Sequence, residues 1–194
     1  MIKLFVSLFA VMQFGIAFSQ TTPKGLEVND KAPIFNAKDQ SGKDFNLQKA
    51  LKKGAVVLVF YRGQWCPYCN KQLSQLQDSL PQIEAKGATL VAVSPEQVEN
   101  ITKTIGKTKA AYPILHDEDL KIMKAYDVAF KVDDATIEKY KTYGIDFEKA
   151  NGSNGANLPV PAVYIINKKG KIVFKSFDAD YRKRVSVATI LTNL

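Results

Sequence analysis

The chain contains two cysteines, Cys66 and Cys69, which stand three positions apart in a Trp-Cys-Pro-Tyr-Cys segment. A disulfide that closes so short a loop removes little entropy from the unfolded chain, so the pair is a poor structural crosslink. A zinc site needs three or four ligands, and His116, the single histidine, is the one further candidate. The spacing instead favours reversible redox chemistry. One thiolate attacks an oxidant or a disulfide and the other cysteine resolves the product, without a metal or an organic cofactor.

Three neighbouring residues are expected to support this chemistry. Pro67 fits the first turn of a helix, where its missing N–H costs nothing. A helix N-terminus at this point favours a thiolate over a thiol. Arg62 either adds positive charge near the sulfurs or forms an ion pair at the surface. Trp65 either contributes to the surface that a partner touches or fills the core.

Two other polar features are interpreted as structural. His116 ends a short apolar run and precedes Asp117, a residue suited to cap a helix; this pattern is typical of a histidine satisfied within the fold. A charged and aromatic cluster near the C-terminus is interpreted as the solvated start of a closing helix. Its members are Asp178, Asp180, Tyr181, Arg182 and Arg184.

The cysteine pair is expected to lie between a buried strand and a helix. Residues 55–61 form a continuous apolar run with β-branched side chains, typical of a strand buried on both faces. Four apolar residues then recur at helical spacing, and Pro81 kinks this helix or starts a second one. The other strands predicted are 89–93, 113–116, 162–167 and 171–175, the last two forming a hairpin. The other helices predicted are 96–105, 117–126, 135–143 and 181–194, and a flexible loop is predicted at 151–155.

This order of elements predicts one α/β domain, residues 25–194, with a central mixed β-sheet and helices on both faces. Residues 1–19 are typical of a secretory signal peptide: Lys3 precedes an apolar run too short to span a membrane. The alternative is an uncleaved anchor. We expect a periplasmic or secreted protein without stable membrane association after cleavage. The formal net charge of +8 falls to +7 without Lys3, and the lysines are scattered, so nucleic-acid binding is not expected.

Five segments share their residues with a known family. They are residues 32–35 (APIF), 60–69 (FYRGQWCPYC), 91–96 (VAVSPE), 158–170 (beginning LPVPA) and 180–182 (DYR). On these segments the chain resembles the peroxiredoxin-like branch of the alkyl hydroperoxide reductase and thiol-specific antioxidant family, within the thioredoxin superfamily. The resemblance implies a thioredoxin-like fold and a cis proline at Pro161.

The cysteine segment departs from the peroxiredoxin pattern, which is Phe-Tyr-Pro-x-x-x-Thr-x-x-Cys. Aligned at residues 60–61, this pattern puts Arg62 at its proline, Cys66 at its threonine and Cys69 at the peroxidatic cysteine. Pro161 stands where peroxiredoxins keep an arginine. In the thioredoxin register, by contrast, Cys66 is the exposed nucleophile and Cys69 resolves. The sequence leaves open which cysteine attacks first.

Three functions remain as hypotheses. A thiol-dependent peroxidase would reduce hydroperoxides through a Cys66/Cys69 cycle, with a thioredoxin-like or other dithiol as reductant; chain length and element order favour it. A thiol–disulfide oxidoreductase would act on disulfides of exported proteins; the complete cysteine pair, Trp65 and Pro161 favour it. A binding module that uses the fold without turnover is the third.

Overall fold

The computed structural model describes residues 22–194, and the signal peptide predicted at residues 1–19 lies outside the described residues. The strands are β1 (Asn36–Lys38), β2 (Asp44–Asn46), β3 (Val56–Phe60), β4 (Thr89–Ser94), β5 (Ile114–His116), β6 (Ala129–Lys131), β7 (Asn157–Pro159), β8 (Ala162–Ile166) and β9 (Ile172–Phe177). The helices are α1 (Leu47–Lys53), α2 (Pro67–Asp78), α3 (Leu80–Ala85), α4 (Val98–Thr108), α5 (Lys121–Ala125), α6 (Asp134–Thr142), α7 (Phe147–Asn151) and α8 (Val187–Thr192). None of the helices in the described part is long and apolar enough to cross a membrane.

Five strands form the central sheet, in the order β5-β4-β3-β8-β9. The strands β3, β4 and β5 run parallel to one another. The strands β8 and β9 pair antiparallel to their neighbours. Helices connect the parallel strands, as a crossover between parallel neighbours requires. The α/β prediction of a central mixed sheet flanked by helices is therefore confirmed.

The central strand β3 faces two apolar cores. The side chains of Val56, Leu58 and Phe60 belong to one core, whereas those of Val57 and Val59 belong to the other. All five are fully buried. Successive side chains of a strand point to opposite faces, so a continuous apolar run is what this position in the sheet demands. The second core also contains both cysteines and the apolar face of α2.

A third apolar cluster lies beside the cysteine segment. The strands β6 and β7 pair in a small antiparallel sheet, and α6 and α7 lie between them in the sequence. Val132, Phe147 and Leu158 from this region are buried together and pack against Trp65. The region of the chain between β5 and β8 thus forms one wall of the candidate site.

The prediction of a flexible loop at residues 151–155 is wrong. Helix α7 runs through Asn151, and a 3-10 turn follows at Gly152–Asn154. The Asn154 side chain is buried, and its amide donates to the backbone carbonyls of Pro95 (2.8 Å) and Asp117 (2.9 Å). Polar turn residues suggested solvent exposure, but this amide satisfies buried carbonyls instead.

The closing helix predicted at residues 181–194 is shorter than expected, since α8 covers Val187–Thr192 alone. The Ser186 hydroxyl accepts the backbone N–H of Thr189 at 3.1 Å and caps this helix. Before it, the Asp180 carboxylate accepts the backbone N–H of Arg182 at 3.1 Å. Such local side-chain bonds compete with helix formation. Residues 178–186 therefore form an irregular segment rather than a helix start.

Candidate active site

Helix α2 positions both cysteines. Cys66 is the N-cap residue, Pro67 occupies the first turn, and the backbone N–H of Cys69 donates to the Cys66 sulfur (N to S, 3.4 Å). Both cysteines are free thiols. They are nearly inaccessible: Cys66 is 1% exposed and Cys69 is fully buried. The predicted placement at a helix N-terminus is thus what the structure has, with the pair enclosed rather than exposed.

The loop between β3 and α2 requires glycine at position 63. A Cβ atom on Gly63 would lie 2.5 Å from Trp65 Nε1 and 2.7 Å from Glu96 Oε1. These distances are far below van der Waals contact, so any larger residue would displace the loop that leads into Cys66. The close approach also brings the Glu96 carboxyl group next to the redox segment.

The electrostatics distinguish the two sulfurs. Burial opposes ionisation of Cys69, but the hydrogen bond from the Cys66 thiol and the positive charge of Arg184 outweigh it and lower the pKa of Cys69 to about 6. The backbone N–H of Arg62 adds a further hydrogen bond. The pKa of Cys66 is raised instead, because its thiol donates to Cys69 and is itself buried. Of the two sulfurs, Cys69 is therefore the one that these surroundings favour as the thiolate.

Arg184 contacts the Cys69 sulfur directly. Its Nη2 lies 3.6 Å from Cys69 Sγ, and its Nη1 donates to the backbone carbonyl of Lys183 at 2.8 Å. Its Nε is buried and has no hydrogen-bond partner among the described residues. The interpretation of residues 178–184 as a solvated helix start is therefore wrong for Arg184, which is half-buried.

Arg62 lies in a cage of aromatic rings. Its guanidinium carbon is 4.1 Å from the ring centre of Tyr181, 4.9 Å from that of Trp65 and 5.5 Å from that of Tyr140. Its Nη2 also donates to the Tyr140 hydroxyl. With 4% of its surface exposed, Arg62 does not form the surface ion pair considered as an alternative. Cation–π contacts of this kind strengthen when the cation is desolvated.

Trp65 packs against the third apolar cluster, as the core-filling alternative expects, and its role in a partner surface stays a prediction. Its ring packs edge-to-face against Tyr140 (5.3 Å between centres) and Phe147 (5.8 Å). It remains partly exposed beside the cysteines. Tyr68, 41% exposed, meets Tyr181 edge-to-face at 5.8 Å. An aromatic surface thus surrounds the mouth of the site.

Pro161 lies close to Arg62 but not in the expected conformation. No cis peptide bond occurs within residues 22–194, so the expectation of a cis proline is wrong. Two residues, Val160 and Pro161, connect β7 to β8, and the N–H of Val160 donates to the carbonyl of Val128 at 2.8 Å. A trans bond suits this path and is the favoured isomer. Pro161, Arg62 and Tyr181 line a cavity of about 210 Å³ whose other walls are mostly apolar.

Glu96 is a further residue at the site that did not stand out in the sequence. It is fully buried at the end of β4, and its Oε2 accepts the backbone N–H of Gln64 at 2.8 Å. Burial raises its pKa to about 8, and the negative charge of Cys69 adds to the effect. The signal available in the sequence was an acidic residue two positions after a buried strand. His116 Nδ1 lies 2.7 Å from the backbone carbonyl oxygen of Glu96, a contact that fits the structural interpretation of this histidine.

Arg184 and Tyr181 were noticed in the sequence as members of a charged and aromatic cluster, but that cluster was interpreted as solvated rather than as part of the site. Both belong to the irregular segment after β9, more than a hundred positions from the cysteines in the chain. Among residues 22–194, no three His, Cys, Asp or Glu side chains are grouped so as to hold a metal ion. The groups brought together at the site are the two cysteines, the guanidiniums of Arg62 and Arg184, and the buried carboxyl of Glu96, whose pKa is raised.

Comparison with known proteins gives two kinds of relative. A thiol-disulfide oxidoreductase ResA from Bacillus thuringiensis subsp. konkukian is 25% identical over 154 residues, 79% of this chain and 71% of the relative. A chloroplastic peroxiredoxin Q from Sedum lineare is 32% identical over 114 residues, 59% of this chain and 60% of the relative.

The fold agrees with solved peroxiredoxin structures. Peroxidoxin BcpB from Mycobacterium tuberculosis superposes with a TM-score of 0.67 at 20% identity, covering 87% of this chain and 96% of that one. The predicted thioredoxin-like fold is therefore confirmed. The AhpC/TSA family profile matches residues 28–175, which include β3, both cysteines, Glu96 and Pro161. This match spans most of the chain and all of the central sheet except the end of β9. The chain therefore belongs to the AhpC/TSA family.

Proposed function

We propose that the protein is a thiol-dependent peroxidase that reduces hydroperoxides through Cys66 and Cys69. The observation that carries the proposal is the enclosure of an ionised sulfur: Cys69 is fully buried and Cys66 is 1% exposed. A hydroperoxide group presents two small oxygen atoms and needs a narrow opening. A protein disulfide must bring its own backbone up to the attacking sulfur, and the burial of both cysteines leaves little surface for that approach. The enclosure therefore favours a small oxidant.

The proposed cycle begins at Cys69. Its thiolate attacks one peroxide oxygen; the S–O bond forms, the O–O bond breaks, and sulfur gives two electrons to the peroxide. The leaving hydroxide or alkoxide takes up a proton. Cys66 then attacks the sulfenic acid, which forms the Cys66–Cys69 disulfide and releases water. An external dithiol reduces this disulfide and is oxidised in turn.

The test uses the fluorescence of Trp65, the single tryptophan of the chain. Reduced protein is mixed with hydrogen peroxide in a stopped-flow instrument, and the rate is compared with that of free cysteine at the same pH. We expect much faster oxidation for the wild type and for Cys66→Ser, which stops at the sulfenic acid. Cys69→Ser should react no faster than free cysteine. A wild-type rate equal to that of free cysteine would contradict the proposal.

A thiol–disulfide oxidoreductase is the second candidate. The ResA relative and the Cys-Pro-Tyr-Cys turn on the N-terminus of α2 favour it. Reduction of insulin disulfides by dithiothreitol, with and without the protein, distinguishes the two. Strong acceleration that needs Cys66, together with slow oxidation by peroxide, would favour this second function.

Export to the periplasm or beyond the cell is also part of the proposal. It is supported by the charged and apolar pattern of residues 1–19. Cell fractionation followed by N-terminal sequencing is the test. A processed chain beginning near residue 20 outside the cytoplasm is expected, and a cytosolic chain that keeps its first residues would contradict export. The reductant would then be an extracytoplasmic dithiol protein.

A further inference from the structure

We propose that the cavity beside Arg62 binds a small monocarboxylate with an apolar body, and that Arg62 holds the carboxylate group. The cavity has a volume of about 210 Å³. At about 30 Å³ for each water-sized volume, it holds roughly seven non-hydrogen atoms. Binding at this cavity goes beyond the proposed peroxidase function and does not depend on it.

Most of the cavity wall is apolar. Val132, Leu158 and Val160 line it, and none of the three is more than 6% exposed. The other apolar residues of the wall are Phe130, Pro159, Pro161 and Ala179. Replacing water at such a wall by an apolar group is favourable, so the cavity favours a ligand with a hydrocarbon body.

Arg62 is the one buried charge among the lining residues, with 4% of its surface exposed. No carboxylate of residues 22–194 forms an ion pair with it. Its hydrogen bond in that part of the chain is the one from Nη2 to the Tyr140 hydroxyl. A buried cation without an anionic partner is costly, and a carboxylate that enters the cavity would supply this partner.

The guanidinium of Arg62 keeps N–H groups free for such a ligand. Tyr181 lies over it at 4.1 Å, and a ring on the face of a guanidinium leaves the N–H groups in its plane available. Nε and Nη1 have no hydrogen-bond partner in the described part of the chain, and Nη1, unlike Nε, is not fully enclosed. Nη1 is therefore the group that a carboxylate would meet, through a charge-assisted hydrogen bond.

Asp133 is the other charged residue of the wall, and its negative charge opposes an anion close to it. Its side chain is exposed, and Oδ1 accepts the backbone N–H of Thr136 at 2.9 Å at the start of α6. Solvent screens an exposed charge more strongly than a buried one. The carboxylate of the ligand is therefore expected at Arg62 and the hydrocarbon body along the apolar wall.

The test is a titration of the reduced protein with hexanoate, followed by Trp65 fluorescence. The guanidinium carbon of Arg62 lies 4.9 Å from the Trp65 ring centre, so a carboxylate bound there changes the surroundings of the indole. Hexanamide keeps the hydrocarbon body without the charge, and acetate keeps the charge without the body. We expect each of them to bind at least about tenfold more weakly than hexanoate.

Each comparison can fail separately. Equal affinity for hexanamide and hexanoate would overturn the role of the Arg62 charge. Equal affinity for acetate and hexanoate would overturn the role of the apolar wall. A fluorescence signal that does not saturate with hexanoate would overturn binding at the cavity altogether.

Two substitutions on α6 test whether the ligand occupies this cavity. Thr136→Phe places a ring where Thr136 lines the cavity, and we expect hexanoate to bind at least about tenfold more weakly because the ring takes up its space. Ala135→Phe is the matched control: it adds the same ring at an exposed position that does not line the cavity, and it should leave the affinity unchanged. Unchanged affinity in Thr136→Phe would overturn the assignment to this cavity.

Arg62→Gln tests the charge directly. We expect this variant to bind hexanoate and hexanamide equally, whereas the wild type prefers hexanoate. The ratio of the two affinities is measured within one protein, so a general loss of stability does not imitate the result. A preference for hexanoate that persists in Arg62→Gln would overturn the contact. Should this variant not fold, Thr136→Phe and the comparison of ligands on the wild type still decide the inference.

Discussion

The buried Glu96 carboxyl makes the stability of the protein depend on pH in a predictable direction. Its side chain is fully buried, and one oxygen accepts the N–H of Gln64 while the other has no partner in the described structure. Burial raises its pKa from 4.5 to about 8. The folded protein therefore keeps this proton at neutral pH, whereas the unfolded chain releases it. Replacing Glu96 with Gln removes the titration and keeps an oxygen acceptor for Gln64.

The sign and size follow from proton linkage. Below pH 4.5 the carboxyl is neutral in both states, and its burial costs no ionisation energy. Between pH 4.5 and 8 the unfolded chain loses a proton that the folded chain retains, so the free energy of unfolding falls by up to about 1.4 kcal/mol per pH unit. For a pKa raised from 4.5 to about 8, the total is ~5 kcal/mol, lost as the pH rises.

Urea unfolding of the reduced protein, followed by Trp65 fluorescence at pH 5, 6, 7 and 8, measures this effect. We expect the stability of Glu96→Gln relative to wild type to increase by roughly 3–4 kcal/mol across this range. The dithiol titrates in both proteins, so its contribution largely cancels in the difference. Glu99→Gln, which changes an exposed carboxylate on α4, should show a constant difference. A constant difference for Glu96→Gln as well would refute the reasoning.

Two further substitutions test the packing around the site. Gly63→Ala should lower the free energy of unfolding by about 1–3 kcal/mol, because the added Cβ would overlap Trp65 and Glu96. The control is Gly106→Ala, at a helical position with open space, which should instead raise the free energy of unfolding by roughly 0.5–1 kcal/mol. Equal effects of the two substitutions in urea unfolding would contradict the crowding at Gly63. Asn154→Ala should lower the free energy of unfolding, measured by heat or urea, by about 1–3 kcal/mol. The substitution leaves two backbone carbonyls without the amide that donates to them at 2.8 and 2.9 Å. An unchanged free energy of unfolding would show that water replaces the amide.

Local pattern was sufficient for the elements that carry the cysteines. The apolar run at residues 55–61 is strand β3, and the stripe that follows is α2 and α3, divided at Ser79 just before Pro81. These signals are strong because β3 is buried on both faces and α2 on one, so burial dictates nearly every residue type. The irregular segment at 178–186 carried no such periodicity, and its charged residues were interpreted as solvated.

The sequence by itself predicted both the chemistry and the fold: a Cys-x-x-Cys pair at the start of a helix after a buried strand favours a redox dithiol, and the order of strands and helices predicted the thioredoxin-like fold that the structure has. Only the tertiary structure shows which groups surround each sulfur, and these favour ionisation of Cys69 over Cys66. Arg184 reaches Cys69 across 115 positions of the chain, and Glu96 approaches the same pair from the end of β4. Contacts between residues so far apart leave no periodic trace, because a single guanidinium or carboxyl is placed by the packing of whole elements rather than by its neighbours in the chain.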